Sequence, residues 1–312
     1  MKLKNKNKIL VVGGTGFIGY HLIKKLIKLK FDVDSISTKK PKKTRRVEKV
    51  KYILSDISKK TKLLKNIKTP YEFVVNLGGH VNHTNKLKTY NSHYLGCKNI
   101  IQTLIKKNIQ IKKFVQIGSC VEYGRINSPQ KESTKINKNN LKSTYGKSKL
   151  KSSLFLLSYF KKYNFPCTIL RLYLAYGPKQ DFNRFLPVII KSCLNKKKFA
   201  CSEGNQLRDF THIDDITNAI VKSLFNKKTN GQIINIGTGK PIKIKTVIER
   251  VRKITKGGKP NYGAIKLRKD EIIKLYPSTK KAKKILNWKA KTNFNKGLKR
   301  TINFYKQNLN FQ

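Results

Sequence analysis

Residues 8–19 read KILVVGGTGFIG, an apolar run that passes directly into a glycine-rich turn. The run from Lys8 to Val12 predicts a buried strand, and the amphipathic stretch from Phe17 to Lys30 predicts the helix after it. Glycines at 13, 16 and 19 permit a tight turn, a close backbone approach to a pyrophosphate and close packing of helix on strand. The segment predicts a dinucleotide-binding turn rather than a purely structural one.

The start of this helix is where the phosphates are expected to bind. The first N–H groups of a helix lack partners within the helix, and its positive end favours an anion. The expected contacts are Gly13, Thr15, Gly16, Phe17, Ile18 and Gly19.

Apolar runs alternate with helical patterns through the first half of the chain. Strands are predicted at Phe31 to Ser37, Lys51 to Ser55, Glu72 to Leu77, Lys113 to Ile117 and Cys167 to Leu172, with helices at Leu95–Lys107 and Tyr145–Lys162. This order predicts an α/β fold of the Rossmann type, with a doubly wound parallel sheet.

The alternation of strand and helix patterns ends at about Gly177. Short apolar runs mix with loops from there on, and two late helices are predicted at Lys245–Thr255 and Ser278–Leu286. We expect a Rossmann domain over residues 1–175 and a smaller, mainly substrate-binding lobe over 176–312. Residues from about 212 to 238 are expected to pack back on the first domain.

The charge of the chain is extreme. Its 312 residues include 71 Lys and Arg against 15 Asp and Glu, a formal net charge of +56. Such a field attracts nucleic acid or an anionic membrane. The lysines are spread from Lys2 to Lys306 rather than clustered, which favours a compositional bias over a specific nucleic-acid surface. An RNA-binding protein on a dehydrogenase scaffold remains the alternative of another class.

Composition also bears on location and on metals. No apolar run reaches about 18 residues, so no membrane span is expected. The five cysteines are scattered and form no CxxC pair, which is typical of a reducing cytoplasm without structural zinc. His80 and His83 lie three residues apart with no third ligand in view, so no metal site is predicted.

The end of the second strand bears on the choice of cofactor. An acid at this place would bind the free ribose diol of NAD, whereas the sequence has Ser37 followed by Thr38 and Lys39. A hydroxyl and a lysine suit a 2′-phosphate, so NADP is preferred over NAD. Asp56 and Ile57, at the end of the third strand, are expected cofactor contacts. Asp56 is a candidate for the adenine amino group, and the alternative is a helix N-cap before Ile57.

The catalytic candidates are Ser119, Tyr145 and Lys149. Tyr-x-x-x-Lys places a phenol and an ammonium one helical turn apart, and the cation is expected to lower the phenol pKa. The spacing alone is weak evidence, because Tyr20, Tyr94, Tyr262 and Tyr276 also have a lysine four residues on. Tyr145 stands out because it opens a predicted helix, 26 residues after Ser119 at a predicted strand end.

Six segments occur in order that together resemble the extended short-chain dehydrogenases of the NAD-dependent epimerase/dehydratase family: GGTGFIG, GSCVEYG, YGKSK, RLYLAYGP, QLRDFTHIDD and INIGTG. The resemblance spans nearly the whole chain. It implies a Rossmann domain with a nucleotide-sugar lobe, and catalytic roles for Ser119, Tyr145 and Lys149. It further implies that Arg208 contacts the substrate phosphates, where a salt bridge with Asp209 or Asp214 is the alternative, and that the helix after Tyr145 joins a homodimer interface.

Departures from the family pattern narrow the activity. The related dehydratases carry an Asp-Glu pair where this chain has Cys120 and Val121, which disfavours dehydration. Leu174 and His93 stand where the family often has asparagine. We therefore expect reversible hydride transfer at a sugar carbon, C4 by preference, of a nucleoside-diphosphate hexose. A 4-ketoreductase is slightly favoured over a 4-epimerase that retains NAD.

Overall fold

The computed structural model describes residues 7–80, 84–267 and 271–308; His83 lies outside them. The strands are β1 Lys8–Val12, β2 Asp32–Ser37, β3 Val50–Leu54, β4 Phe73–Asn76, β5 Lys113–Ser119, β6 Cys167–Leu172, β7 Leu174–Tyr176, β8 Lys198–Ala200, β9 Leu207–Arg208, β10 Phe210–His212, β11 Gln232–Ile236, β12 Ile242–Lys243, β13 Lys259–Asn261 and β14 Lys274–Leu275. The helices are α1 Phe17–Lys28, α2 Lys60–Asn66, α3 Lys86–Tyr90, α4 Gly96–Lys106, α5 Thr144–Tyr163, α6 Phe185–Leu194, α7 Ile213–Leu224, α8 Ile244–Thr255, α9 Lys280–Leu286 and α10 Phe294–Gln307.

A seven-stranded parallel sheet forms the centre of the molecule, in the order β11-β6-β5-β4-β1-β2-β3. The strand order reverses at β1, which pairs with both β2 and β4. A crevice forms at such a switch point, outside the carboxyl ends of the strands, and ligands bind there. This sheet confirms the predicted Rossmann-type α/β fold.

Both faces of the sheet are buried. Ile9 and Val11 belong to a core cluster on one face, while Leu10 and Val12 belong to a second cluster on the other face. Alternation of this kind follows from the two-residue period of a strand, and burial on both faces explains why β1 is apolar throughout.

The C-terminal half of the chain contributes both to the large sheet and to a separate hydrophobic core. Helix α7 and strand β11 return to the large sheet, where β11 pairs in parallel with β6. Trp288, just after α9, packs there too and donates its indole N–H to the carbonyl oxygen of Asp215 at 3.2 Å. A separate core cluster joins α6, α8 and α10.

Several helices were not named in the sequence prediction, among them α6 and α10. In α10 the apolar residues Phe294, Leu298, Ile302 and Tyr305 recur at helical spacing, and the last three are buried. Pro187 lies in the first turn of α6, where a proline removes no internal hydrogen bond and the helix is not interrupted.

Several of the few acidic side chains accept hydrogen bonds that hold loops or neighbouring segments in place. Asp209 accepts the backbone N–H groups of Thr238 and Gly239, and Asp215 accepts those of Lys291 and Thr292. Others accept side-chain or backbone donors, as Asp34, Glu72, Glu132 and Glu249 do. These carboxylates therefore anchor loops, while most lysines remain on the outside.

The five cysteines of the chain are buried and unpaired. No group of three His, Cys, Asp or Glu side chains that could hold a metal ion occurs among the residues described. None of the described helices is both long enough and apolar enough to cross a bilayer.

Candidate active site

The glycine turn lies at the switch point between β1 and α1. Gly13 has φ of +81° and donates its N–H to the carbonyl oxygen of Ile36 at 2.7 Å. A Cβ on Gly13 would lie 3.0 Å from the backbone carbon of Leu77, and one on Gly19 would lie 2.3 Å from the carbonyl oxygen of Gly13. Both positions require glycine so that the turn can form against the neighbouring backbone.

Gly16 differs from these two glycines. It is the N-cap of α1, and a Cβ there would meet only the carbonyl oxygen of Gly13, at 3.4 Å. The space in front of Gly16 is part of a cavity of about 500 Å³, which Phe17 and Ile18 also line. A bare backbone at a helix N-terminus, facing open space, fits a pyrophosphate. The residues present therefore fit a dinucleotide.

The cavity extends along the carboxyl ends of the central strands. One wall is the glycine turn, and the opposite wall comes from β7, the segment after it and the start of α6. Between the walls lie the candidate catalytic residues Ser119, Tyr145 and Lys149. The structure thus brings together three side chains that come from two separate segments.

Local structure places these three side chains. Ser119 ends β5, and Tyr145 lies in the first turn of α5, which Ser143 caps by accepting the N–H of Gly146 at 3.0 Å. The Tyr145 phenol is hydrogen-bonded to the Ser119 side chain. Lys149 is 4% exposed and donates from Nζ to the carbonyl oxygen of Ile117 at 2.7 Å.

The electrostatics of the tyrosine differ from the expectation. Tyr145 is partly exposed to the cavity, yet burial by surrounding protein atoms raises its pKa to about 12, although the hydrogen bond with Ser119 opposes this. Burial also lowers the pKa of Lys149 to about 8. The phenol pKa of Tyr145 is therefore raised and not, as expected, lowered, because desolvation is the dominant cause.

The predicted adenosine-side residues lie beside the turn. Ser37 accepts the N–H of Thr15 through its hydroxyl oxygen at 3.4 Å, and Lys39 is exposed. Asp56 accepts the N–H and hydroxyl of Ser58 at 2.9 and 2.8 Å, so its carboxylate orders the turn after β3. Ile57 is buried, and its side chain packs against Gly78 and Gly96, where a Cβ on either glycine would clash with it.

Arg208 is placed differently from the other candidates. Its guanidinium forms an ion pair with Glu271 and donates to the carbonyl oxygens of Leu207 and Ile273. Arg208 does not line the cavity that holds Tyr145. The alternative salt bridge to Asp209 or Asp214 is wrong, because those carboxylates bond Thr238 and Arg300 instead. The partner Glu271 was not predicted.

Sequence reasoning missed residues on the far wall of the cavity. Arg184 is exposed there at the start of α6, and its charge opposes the rise in the Tyr145 pKa that burial causes. Asp181 lines the same wall and forms an ion pair with the buried Arg45 at 2.9 Å. His93 lies beside the tyrosine, with 5.0 Å between ring centroids. A charged cluster just after RLYLAYGP was the available signal for Asp181 and Arg184.

Gly16 offers a test of dinucleotide binding. Gly16→Ala is expected to fold with an unchanged melting temperature, because the nearest described atom beyond its chain neighbours, the carbonyl oxygen of Gly13, lies 3.4 Å from the new methyl group. Its Kd for NAD or NADP should rise about tenfold or more, since a clash costing about 1.4 kcal/mol has that effect. Fluorescence titration measures the Kd. Equal affinity in wild type and variant would contradict a phosphate site at this turn, and Gly19→Ala should by contrast destabilise the fold.

The fold and this arrangement define a Rossmann-fold protein of the short-chain dehydrogenase class. The family model described as "NAD dependent epimerase/dehydratase family" matches residues 9–237. The chain belongs to this family, as its sequence motifs indicated.

Relatives extend the comparison over the full length. A Methanocaldococcus jannaschii protein named "Putative UDP-glucose 4-epimerase" is 31% identical, covering 96% of this chain and 99% of its own. The UDP-glucose 4-epimerase of Thermotoga maritima, crystallised with UDP-glucose, has a TM-score of 0.88 at 23% identity, covering 97% and 99%. The Thermus thermophilus UDP-glucose 4-epimerase in complex with NAD has a TM-score of 0.84 at 20% identity, covering 96% and 99%.

Proposed function

We propose that this protein catalyses reversible hydride transfer at C4 of a nucleoside-diphosphate hexose, with NAD or NADP as cofactor. The observation that carries the proposal is the convergence of Ser119, Tyr145 and Lys149 on the cavity that the glycine turn opens. Gly13, Gly16 and Gly19 would hold the dinucleotide phosphates at the start of α1. Membership of an enzyme family that acts on nucleotide sugars supports the same reaction class.

Each catalytic side chain has a separate task in this proposal. A bound nicotinamide supplies and accepts the hydride. Tyr145 exchanges a proton with the sugar oxygen, and Ser119, to which it is hydrogen-bonded, holds that oxygen in place. Lys149 supplies a buried positive charge that stabilises the phenolate form of Tyr145 and holds the cofactor ribose.

Among the reactions that share this machinery, a 4-epimerase is favoured. The relatives that match over nearly their whole length carry several names, and UDP-glucose 4-epimerase is one that recurs among them. We give the similarity to the Methanocaldococcus jannaschii protein more weight than the slight preference that Ser37 and Lys39 gave to a reductase. UDP-glucose is accordingly the first substrate to test. The epimerase would keep NAD bound, as the Thermus thermophilus relative does in its complex.

A 4-ketoreductase is the second candidate, and one observation favours it. With a pKa raised by burial to about 12, Tyr145 is a protonated phenol at neutral pH, which is the form that donates a proton to a carbonyl oxygen during reduction. The exposed Lys39 beside Ser37 would then bind the 2′-phosphate of NADP.

Dehydration is not supported. Cys120 is buried, and burial raises the pKa of its thiol to about 12, so it is a poor proton donor at neutral pH. Val121 has no acidic group. The nearby Glu122 is bonded to Arg171 and is not among the residues that line the cavity.

The experiment that tests the proposal identifies the cofactor and the product. Dinucleotide released from the purified protein by denaturation is identified by mass spectrometry, and a panel of nucleoside-diphosphate hexoses beginning with UDP-glucose is assayed. An epimerase gives UDP-galactose from UDP-glucose with no net use of cofactor. A reductase consumes NADPH in proportion to product when 4-keto sugars are supplied.

One combination of results would contradict the whole proposal. A folded protein that takes up no dinucleotide and converts no nucleotide sugar would contradict it. If such a protein bound RNA selectively at physiological salt, the alternative drawn from the +56 charge would replace it. We also propose a homodimer formed through α5, whose Leu154 and Tyr163 are exposed, and analytical ultracentrifugation tests it.

A further inference from the structure

A buried ion pair lies behind the catalytic serine. Glu122 is 0% exposed and Arg171 is 1% exposed, and Nε of the arginine donates to Oε2 of the glutamate at 2.9 Å. Glu122 belongs to the short 3₁₀ turn Cys120–Tyr123 that follows β5, while Arg171 lies on β6. The guanidinium also stacks on the ring of Tyr123, 4.3 Å from the ring centroid.

The carboxylate of Glu122 connects this pair to the catalytic residues. Its Oε1 accepts the backbone N–H of Ser119 at 2.7 Å, and its Oε2 accepts the hydroxyl of Ser153 at 2.8 Å. Ser153 lies on α5, the helix that carries Tyr145 and Lys149. One side chain thus joins the end of β5 to the catalytic helix.

The glycine before the catalytic serine makes room for this arrangement. A Cβ on Gly118 would lie 2.5 Å from Oε1 of Glu122 and 3.2 Å from Cγ of Arg171. Any larger residue at 118 would push the carboxylate away from Ser119. The sequence Gly-Ser at the end of β5 therefore fits the glutamate as well as the serine.

Stability alone gives a weak reason for the pair. Two charges removed from water lose more hydration energy than a buried pair usually regains, so apolar replacements are often neutral or stabilising. Nη2 of Arg171 is buried without a hydrogen-bond partner among the described residues, which makes this pair less favourable still. A role at the adjacent catalytic site would explain why an ion pair that contributes little to stability is buried at this position.

We propose that Glu122, held by Arg171, is a positioning residue of the reaction: it fixes the backbone of Ser119 and places a carboxylate behind Tyr145 and Lys149. The proposal rests on the function proposed above. Glu122 does not touch the substrate cavity; it acts through the serine that it holds and through its field.

The charges around the two catalytic groups give the direction of this field. Burial lowers the pKa of Lys149 most, and Glu122 and Cys97 oppose that change. Around Tyr145, burial raises the pKa most, Cys120 and Glu122 raise it further, and the Ser119 hydrogen bond and Arg184 lower it, with His93 packed against the ring. The glutamate therefore helps to keep Lys149 charged, so removing it lowers the lysine pKa.

The test uses a double variant, Glu122→Gln with Arg171→Met. It removes both charges together, so that no buried guanidinium is left alone, and the new amide oxygen can still accept the N–H of Ser119. The matched control is Asp34→Asn, which neutralises a buried carboxylate of the same sheet, 2% exposed and bonded by Tyr71. The pH dependence of kcat is measured with UDP-glucose, together with the melting temperature.

The expected result is a shift of the pH profile of kcat, and not only a loss of activity. The fall of activity on the alkaline side, set by deprotonation of Lys149, should move to lower pH in the double variant, because Glu122 is a charge that raises the lysine pKa. The shift should be less than about one unit, since the simultaneous loss of the Arg171 cation partly offsets the loss of the carboxylate. The control should keep the wild-type profile. A double variant whose pH profile and kcat coincide with those of wild type overturns the inference, whatever the shape of the profile.

Failure of this inference is distinguishable from failure of the proposed function. If wild type turns over and Tyr145→Phe does not, but the double variant matches wild type, the role of Glu122 is wrong and the function stands. If wild type neither binds a dinucleotide nor converts UDP-glucose or another nucleotide sugar, both fall. A double variant that melts far below wild type would show that the pair serves stability, which also contradicts the proposal.

Discussion

Tyr145→Phe should lower kcat about 10³-fold, the range that loss of a well-placed general acid or base produces. The substitution removes only the hydroxyl that is hydrogen-bonded to Ser119, while the ring keeps its contact with His93. Dinucleotide affinity and melting temperature should therefore stay near the wild-type values. Steady-state assay with UDP-glucose, at saturating substrate, gives kcat.

Tyr163→Phe is the matched control, because Tyr163 lies at the far end of the same helix and is 56% exposed. It should behave as wild type. Undiminished turnover in Tyr145→Phe would remove the tyrosine from the reaction, and with it the basis of the proposed mechanism.

Lys149→Met should lower kcat/KM about 100-fold and remove the loss of activity on the alkaline side. The pKa of Lys149 is lowered by burial to about 8, so its ammonium is charged below pH 8 and loses its charge as the pH rises through that value. Activity that needs the cation is present below pH 8 and falls above it. A methionine has no proton to lose, so the residual activity should not fall near pH 8.

The control for this change is Lys147→Met, which removes an exposed lysine from the same helix. A wild-type profile that stays flat through pH 8 would show that the charge of Lys149 is not required. A Lys149→Met profile that still falls near pH 8 would assign that fall to another group.

The sequence predicted the nucleotide-binding half well because its signals are local. The apolar run of β1, the glycines after it and the first helix are adjacent in the chain, and each has a physical reason that holds without knowledge of the rest. The meeting of Ser119 with Tyr145 was also predictable, since Ser119 ends a parallel strand and Tyr145 opens the next long helix, which begins at the edge of the sheet where that strand ends.

Contacts between segments that lie far apart in the chain could not be predicted from the sequence. Arg208 pairs with Glu271, 63 residues away, although nearer carboxylates were the obvious partners. The pKa of Tyr145 depends on how closely the protein surrounds the phenol, which no spacing of residues reveals. Glu122 was visible in the GSCVEYG segment, but its partner Arg171 lies 49 residues on, so the pair emerged only with the fold.

Because several of the few carboxylates bond interior loops, the balance of charge at the surface has a consequence for the surroundings of the molecule. With so few acids left to face the surface lysines, the cationic exterior is neutralised mainly by dissolved anions. Added electrolyte shortens the reach of the repulsion among those lysines. For this protein the composition of the buffer is thus part of what holds the native state together.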